Sequence, residues 1–148
     1  MARCLIIGAN GFLGSHLADT LAGAGHDVTA FDRFSRGTVA FSHPGITMAR
    51  GDFLSETDLR AALRGQDYVF HFLSMTTPIA VDDEPTLDIR TNVLQSISLL
   101  ELAVDSGVQR FYYASSGGTV YGPQRLGRYH EDAPRRPLSP YGIGKMTV

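Results

Sequence analysis

The chain has 148 residues, 43% of them hydrophobic and 19% charged, with a formal net charge of -2. That length suffices for one domain with its own core, and the composition excludes a disordered chain. The near-neutral balance gives no electrostatic reason to expect nucleic acid or an anionic membrane as partner, and no apolar run approaches the roughly 20 residues of a membrane-spanning helix.

Arg3–Ile7 reads as a short buried strand, because Cys4, Leu5, Ile6 and Ile7 form an unbroken apolar run. The run is too short to be the core of a secretion signal. Cys4 is the single cysteine, is expected in the core, and fits a reducing compartment, so a cytoplasmic protein is expected. Gly8, Gly11 and Gly14 follow the strand directly. A helix then runs over Phe12–Ala24, with Leu13, Leu17, Leu21, Ala18 and Ala22 on one face and Gly25 as its stop. A strand that turns on glycines into a helix aims free backbone N–H groups and the positive end of the helix dipole at one spot, which suits a diphosphate. Glycine lets the backbone approach the pyrophosphate and adopt positive φ.

Asp27–Phe31 is the second strand, and Asp32 stands at its end. A dinucleotide-binding fold uses an acid there to hold the adenosine ribose hydroxyls, and its charge repels a 2′-phosphate, favouring NAD over NADP. Arg33 and Arg36 follow, either as solvated loop charges or as phosphate contacts. Residues 33–45 read mostly as loop. Ile46–Ala49 is the third strand. Ser55 caps a helix that runs through Arg64 and stops at Gly65, with Asp58 weakly resembling a capping box. Tyr68–Phe72 is the fourth strand, Met75–Pro85 a loop, Thr86–Ser106 a long helix stopped by Gly107, and Arg110–Ala114 the fifth strand. A glycine- and proline-rich loop runs to Pro140, and Tyr141–Val148 opens another helix.

This alternation predicts an α/β fold: a Rossmann-type, doubly wound parallel sheet with helices on both faces and right-handed crossovers, cut after its fifth βα unit. Residues 1–148 are expected to form one NAD-binding domain. The last helix stops at Val148 without a cap, so a piece of a longer protein is expected.

Tyr141 and Lys145 stand at i and i+4 of that last helix, on one face. A phenol beside a fixed positive charge loses its proton more easily, which a general acid or base working near neutral pH requires.

Together these residues resemble the extended short-chain dehydrogenase/reductase superfamily, and within it the NAD-dependent sugar-nucleotide epimerases of the UDP-glucose 4-epimerase kind. The carriers of the resemblance are Gly8-x-x-Gly11-x-x-Gly14, Asp32, Gly51-Asp52, His71-Phe72-Leu73-Ser74, Asn92, Ser115-Ser116-Gly117-Gly118-Thr119-Val120-Tyr121-Gly122 and Pro140-Tyr141-x-x-x-Lys145. It implies that Gly8, Gly11, Phe12 and Leu13 hold the pyrophosphate. Asp32 would hold the ribose, with Ser35 among the cofactor contacts in the loop beyond it. Asp52 would bond the adenine amino group with Phe53 beside it, and Leu73 and Asn92 would line the cofactor. His71 matches a strand-end position and reads as structural.

The resemblance further implies that Lys145 reaches the nicotinamide ribose and lowers the pKa of Tyr141. Tyr141 would take the proton of the sugar 4-hydroxyl while hydride leaves C4 for NAD, and the 4-keto sugar would turn over and take hydride back on its other face. NAD is the one cofactor implied, and no metal is expected.

Two departures stand out. The family's catalytic serine or threonine falls on Gly117, so Ser116, Thr119 as the alternative, or a water molecule would supply the hydroxyl. The family also continues for about as many residues again, and that half grips the nucleotide sugar. The isolated chain is therefore expected to be inactive, and an NAD-binding but catalytically incomplete half is the alternative reading. Dehydratases carry acids where Gly118 and Thr119 stand, which argues against that reaction. Reductases and decarboxylases of the superfamily stay open. A nucleotide sugar, with a UDP-hexose foremost, is the expected partner, and a homodimer through the 86–106 and 141–148 helices is a further expectation.

Overall fold

In the computed structural model, residues 1–35, 37–76, 84–123 and 127–148 are described. Arg36 and most of the expected Met75–Pro85 loop lie outside them. The chain divides into two compact units, Met1–Leu73 with Ser98–Ala114, and Ser74–Ile97 with Ser115–Val148.

The first unit holds the whole sheet. Its strands are β1 (Arg3–Ile7), β2 (Asp27–Asp32), β3 (Thr47–Arg50), β4 (Tyr68–His71) and β5 (Arg110–Tyr113), in the order β3-β2-β1-β4-β5. Every neighbouring pair is parallel, with Cys4 opposite Val28 on one side and Tyr68 on the other. Cys4, Leu5, Ile6 and Ile7 are buried, as a central strand covered on both faces requires. Burial pushes the Cys4 thiol up, which suits an inert core residue. The chain winds outward from β1 through β2 to β3 and then crosses to β4 on the other side of β1, so a switch point lies at the C-terminal end of β1, where open parallel sheets bind ligands.

Helix α1 (Phe12–Gly23) joins β1 to β2 and buries Gly14, Ser15, Ala18 and Ala22. The periodicity predicts Leu13 on this inner face, but Leu13 is exposed and only Leu17 and Leu21 pack partly against the core. The helix approaches the sheet through its smallest residues: a Cβ on Gly14 would run into the carbonyl oxygen of Gly8. Helix α2 (Glu56–Leu63) joins β3 to β4 and buries Leu59, Ala62 and Leu63, with Ser55 Oγ accepting the Asp58 N–H at 3.3 Å. Opposite the switch point, the carboxylate of Asp67 accepts from the Arg3 N–H at 2.8 Å and its guanidinium at 2.9 Å, which holds the Asp67 carboxyl down at about 2.

The second unit is helical. Where one long helix is predicted, the chain forms α3 (Pro85–Asp88), a π-helical turn over Ile89–Val93 and α4 (Leu94–Asp105), whose first four residues belong to this unit. Asp88 and Asn92, four residues apart there, are both buried and hydrogen-bonded to each other. Helix α5 (Pro140–Thr147) starts with proline at its first position and Ser139 as its cap, whose Oγ accepts the Gly142 N–H at 3.1 Å. No helix among the described residues is long and apolar enough to cross a membrane.

Candidate functional site

The first unit carries the glycine turn. Gly8 has φ +83°, a conformation costly for any side chain, and a Cβ there would sit 2.8 Å from the Leu73 nitrogen. Its N–H and that of Ala9 both bond the Phe31 carbonyl, at 3.0 and 3.2 Å, which pins the turn to the end of β2. Gly11 is the extended N-cap of α1 and brings no side-chain cap, and no acidic residue stands in the first helical turn. The first N–H groups of a helix have no partner within it. Phe12 and Leu13 hold apolar side chains out to the surface beside them, at 79% and 59% exposure. The turn is therefore uncapped and positively polarised, and it suits a diphosphate.

Asp32 is braced over this turn. Its Oδ2 accepts the Asn10 N–H at 3.0 Å and its Oδ1 the Phe34 N–H at 3.2 Å. Two residues that the sequence reading missed support it. Asn10 donates to the Thr38 carbonyl at 2.9 Å and accepts from the Ala40 N–H at 2.8 Å, tying the loop to the turn. Phe34 adopts φ 49° with its ring buried, a rare left-handed conformation that bends the chain just past Asp32 and leaves Ser35 exposed. Asn10 lies inside the glycine motif, where a polar residue is a visible signal; nothing in the sequence marks Phe34.

Just past β3, Asp52 Oδ1 accepts the Leu54 N–H at 2.9 Å, and the Asp52 N–H donates to Asp58 Oδ2 at 2.9 Å. Phe53 is expected beside an adenine. Its ring is 1% exposed and packs on His71 with centroids 5.0 Å apart, so the side chain belongs to the core. His71 is buried among Phe53, Phe111 and Tyr113, as a structural residue would be. Leu73 is half-buried, with its backbone against Gly8.

The second unit carries Tyr141 and Lys145. The Lys145 Nζ lies 5.8 Å from the centroid of the Tyr141 ring, over its face. The expected lowering of the phenol pKa is not what this arrangement produces. Burial, and then the charge of Asp88, push the Tyr141 phenol up, while burial pushes the Lys145 ammonium down and Asp88 opposes that fall.

Asn92 is expected along the cofactor. Its Oδ1 accepts the Met75 N–H at 2.8 Å, and its Nδ2 donates to Thr76 Oγ1 at 2.7 Å and to Asp88 Oδ1 at 2.8 Å. Both ends of the amide are engaged inside the protein, and it ties the 75–76 segment to the π-helical turn. Ser116 and Thr119 share one turn: the Ser116 carbonyl accepts the N–H groups of Thr119 and Val120 at 3.1 and 3.0 Å, with a long contact of 3.5 Å from the Thr119 hydroxyl. Among the described residues, nothing beyond the chain neighbours lies within 4 Å of a Cβ placed on Gly117 or Gly118. No group of three His, Cys, Asp or Glu among the described residues is placed to hold a metal ion.

A parallel sheet with a glycine turn at its switch point, an uncapped helix beyond it and an acid at the end of the second strand define a Rossmann-type dinucleotide-binding protein. The sequence model of the NAD dependent epimerase/dehydratase family matches residues 4–148, and the chain belongs to that family. It is 33% identical over 151 residues to a UDP-glucose 4-epimerase of Mycolicibacterium smegmatis, covering 98% of this chain and 48% of that protein. It is 31% identical over 146 residues to the human sterol-4-alpha-carboxylate 3-dehydrogenase, decarboxylating, covering 97% of this chain and 37% of that protein. The crystal structure of the Thermus thermophilus UDP-glucose 4-epimerase in complex with NAD superposes with a TM-score of 0.87 at 31% identity, over 97% of this chain and 47% of that one. The chain spans about half the length of the UDP-glucose 4-epimerases it matches.

Proposed function

We propose that the chain carries the cofactor and proton-transfer half of an NAD-dependent nucleotide-sugar 4-epimerase that works in the cytoplasm on a UDP-hexose. The observation that carries the reading is the start of α1 behind the glycine turn, with no side-chain cap and no acid in its first turn, and with Asp32 bonded to that turn. Gly8, Gly11, Phe12 and Leu13 would hold the pyrophosphate, Asp32 the adenosine ribose, Ser35 and Asp52 the adenosine end, and Leu73 the cofactor's inner side. NAD, when bound, takes a hydride from the substrate carbon and returns it. The Tyr141 side chain, as phenolate, would take the proton of the sugar 4-hydroxyl and, as the phenol so formed, would give it back. Lys145 holds positive charge beside the phenol and bonds the nicotinamide ribose. Ser116, or Thr119 as the alternative, supplies the hydroxyl that Gly117 lacks. Leu94, Ile97, Ile143 and Met146 expose apolar side chains on α4 and α5, the faces that would pair in a homodimer.

Holding the sugar by its nucleotide is commonly worth several kcal/mol of barrier, and half of each matched epimerase lies outside this match. The chain alone should therefore turn over little UDP-glucose, and a chimera with the remaining half of the Mycolicibacterium relative should interconvert UDP-glucose and UDP-galactose. Efficient turnover by the chain alone would show that the substrate is gripped elsewhere.

Gly117 favours a second reading, a half that binds NAD and turns nothing over. An inactive chimera that still binds NAD and becomes active on Gly117→Ser would select it, since the position has room for the hydroxyl.

A further inference from the structure

Asp88 has no part in the reading above, yet it is the most enclosed acid near the Tyr141–Lys145 pair. It is 2% exposed, and its Oδ1 accepts the Thr76 hydroxyl and the Asn92 amide, the latter at 2.8 Å. The other carboxylate oxygen lies against the Cα of Gly144, where a Cβ could not fit, so glycine at 144 is what lets the acid approach α5. Lys145 is the neighbouring residue, 7% exposed, and it is the sole lysine of the sequence; every other fixed cation is an arginine. Among the described charged residues of the packed elements, Glu84 and Arg90 are exposed, while Asp88 and Lys145 are buried.

We propose that Asp88 is a positioning residue for the proton-transfer pair: its carboxylate, fixed by Thr76 and Asn92, is the counter-charge that keeps the Lys145 ammonium charged and in place on α5. An ammonium this enclosed loses the water that stabilises its charge and needs a nearby anion to stay protonated. The direction of the shifts agrees, since Asp88 opposes the effect of burial on Lys145. Asp88, just before the π-helical turn, and Val93, at its end, are what a Cβ on Gly144 would meet. The inference rests on the reading of Tyr141 and Lys145 as the proton-handling pair.

Because there is one lysine, protein made with [13Cε]lysine gives a single lysine resonance, whose titration reports Lys145 without NAD or substrate. Asp88→Asn keeps an acceptor for Thr76 and Asn92 but removes the charge. The Lys145 midpoint should fall by about one pH unit or more, and the Tyr141 phenolate absorbance, read against Tyr141→Phe, should move down with it. An acid that only packs the helix would leave both midpoints unmoved, and that result overturns the proposal. Should Asp88→Asn not fold, the 13Cγ signal of Asp88 in the unmodified protein must show an alkaline inflection at the Lys145 midpoint; a trace without it overturns the proposal equally. NAD titration of the unmodified chain is scored separately, so loss of the cofactor reading and loss of the Asp88 role give different results.

Discussion

Replacing Gly14 by alanine sets two known effects against each other inside α1. A Cβ at Gly14 falls on the Gly8 carbonyl oxygen and 2.8 Å from the Ala9 Cα. Both are backbone atoms of the turn, so neither can rotate away as a side chain would. Overpacking of this kind costs about 1–3 kcal/mol, while alanine regains about 1 kcal/mol of helix propensity over glycine. Because the clash is with backbone, the upper part of that range, about 2–3 kcal/mol, applies, and Gly14→Ala should lose about 1–2 kcal/mol. Gly23 is the control. It closes the same helix, nothing lies within 4 Å of its Cβ position, and Gly23→Ala should gain about 0.5–1 kcal/mol. At this chain length each kcal/mol moves the melting temperature by roughly 2–4 °C. Thermal melts followed by circular dichroism should place Gly14→Ala about 2–8 °C below the parent and Gly23→Ala about 1–4 °C above it. A Gly14→Ala protein that melts at or above the parent would refute the close approach of α1 to the turn.

Asp32→Ala should bring NAD and NADP affinities to within about threefold of each other, since the charge that disfavours the 2′-phosphate is gone; competitive titration of the two cofactors reads this directly. In a chimera that turns over, Tyr141→Phe should cost about 10²–10⁴ in kcat while leaving the Kd for NAD within a few-fold; turnover near the parent's would remove Tyr141 from proton transfer. The Asp67 carboxyl is held down at about 2 by Arg3. A carboxylate whose folded pKa is depressed stabilises the protein above its unfolded pKa and loses that contribution as pH falls through the folded value. Denaturation curves of the parent should therefore weaken between about pH 4 and pH 2, and Asp67→Asn should flatten that part of the profile.

The strand–turn–helix of residues 3–23 was legible because its causes are local: an apolar run, three glycines at fixed spacing and a small-residue helix face. Leu13 was misplaced because periodicity counts positions on a cylinder, whereas the turn brings the helix in over Gly14 and tips its first residues outward. Phe53 follows Asp52 in a loop, and only the packing of His71 from β4 shows that its ring turns inward. Asn92 stood out as a polar residue on a long helix, but its partners come from the 75–76 segment and from a π-helical turn that the 3.6-residue period does not describe. The i, i+4 spacing of Tyr141 and Lys145 was read correctly, while their electrostatics depend on Asp88, far away in the sequence. Local geometry was thus readable, and the tuning of the site was not, because it is set by burial and by groups brought in from other elements.

The central claim is that the Gly8 turn and Asp32 form an NAD site. Isothermal titration of the 148-residue chain with NAD and with NADP, at matched salt and protein concentration, tests it most directly. The account predicts saturable binding of one NAD per chain, at least tenfold tighter than NADP, a difference of about 1.4 kcal/mol. Absence of NAD binding by folded protein, or equal affinity for the two cofactors, would contradict it.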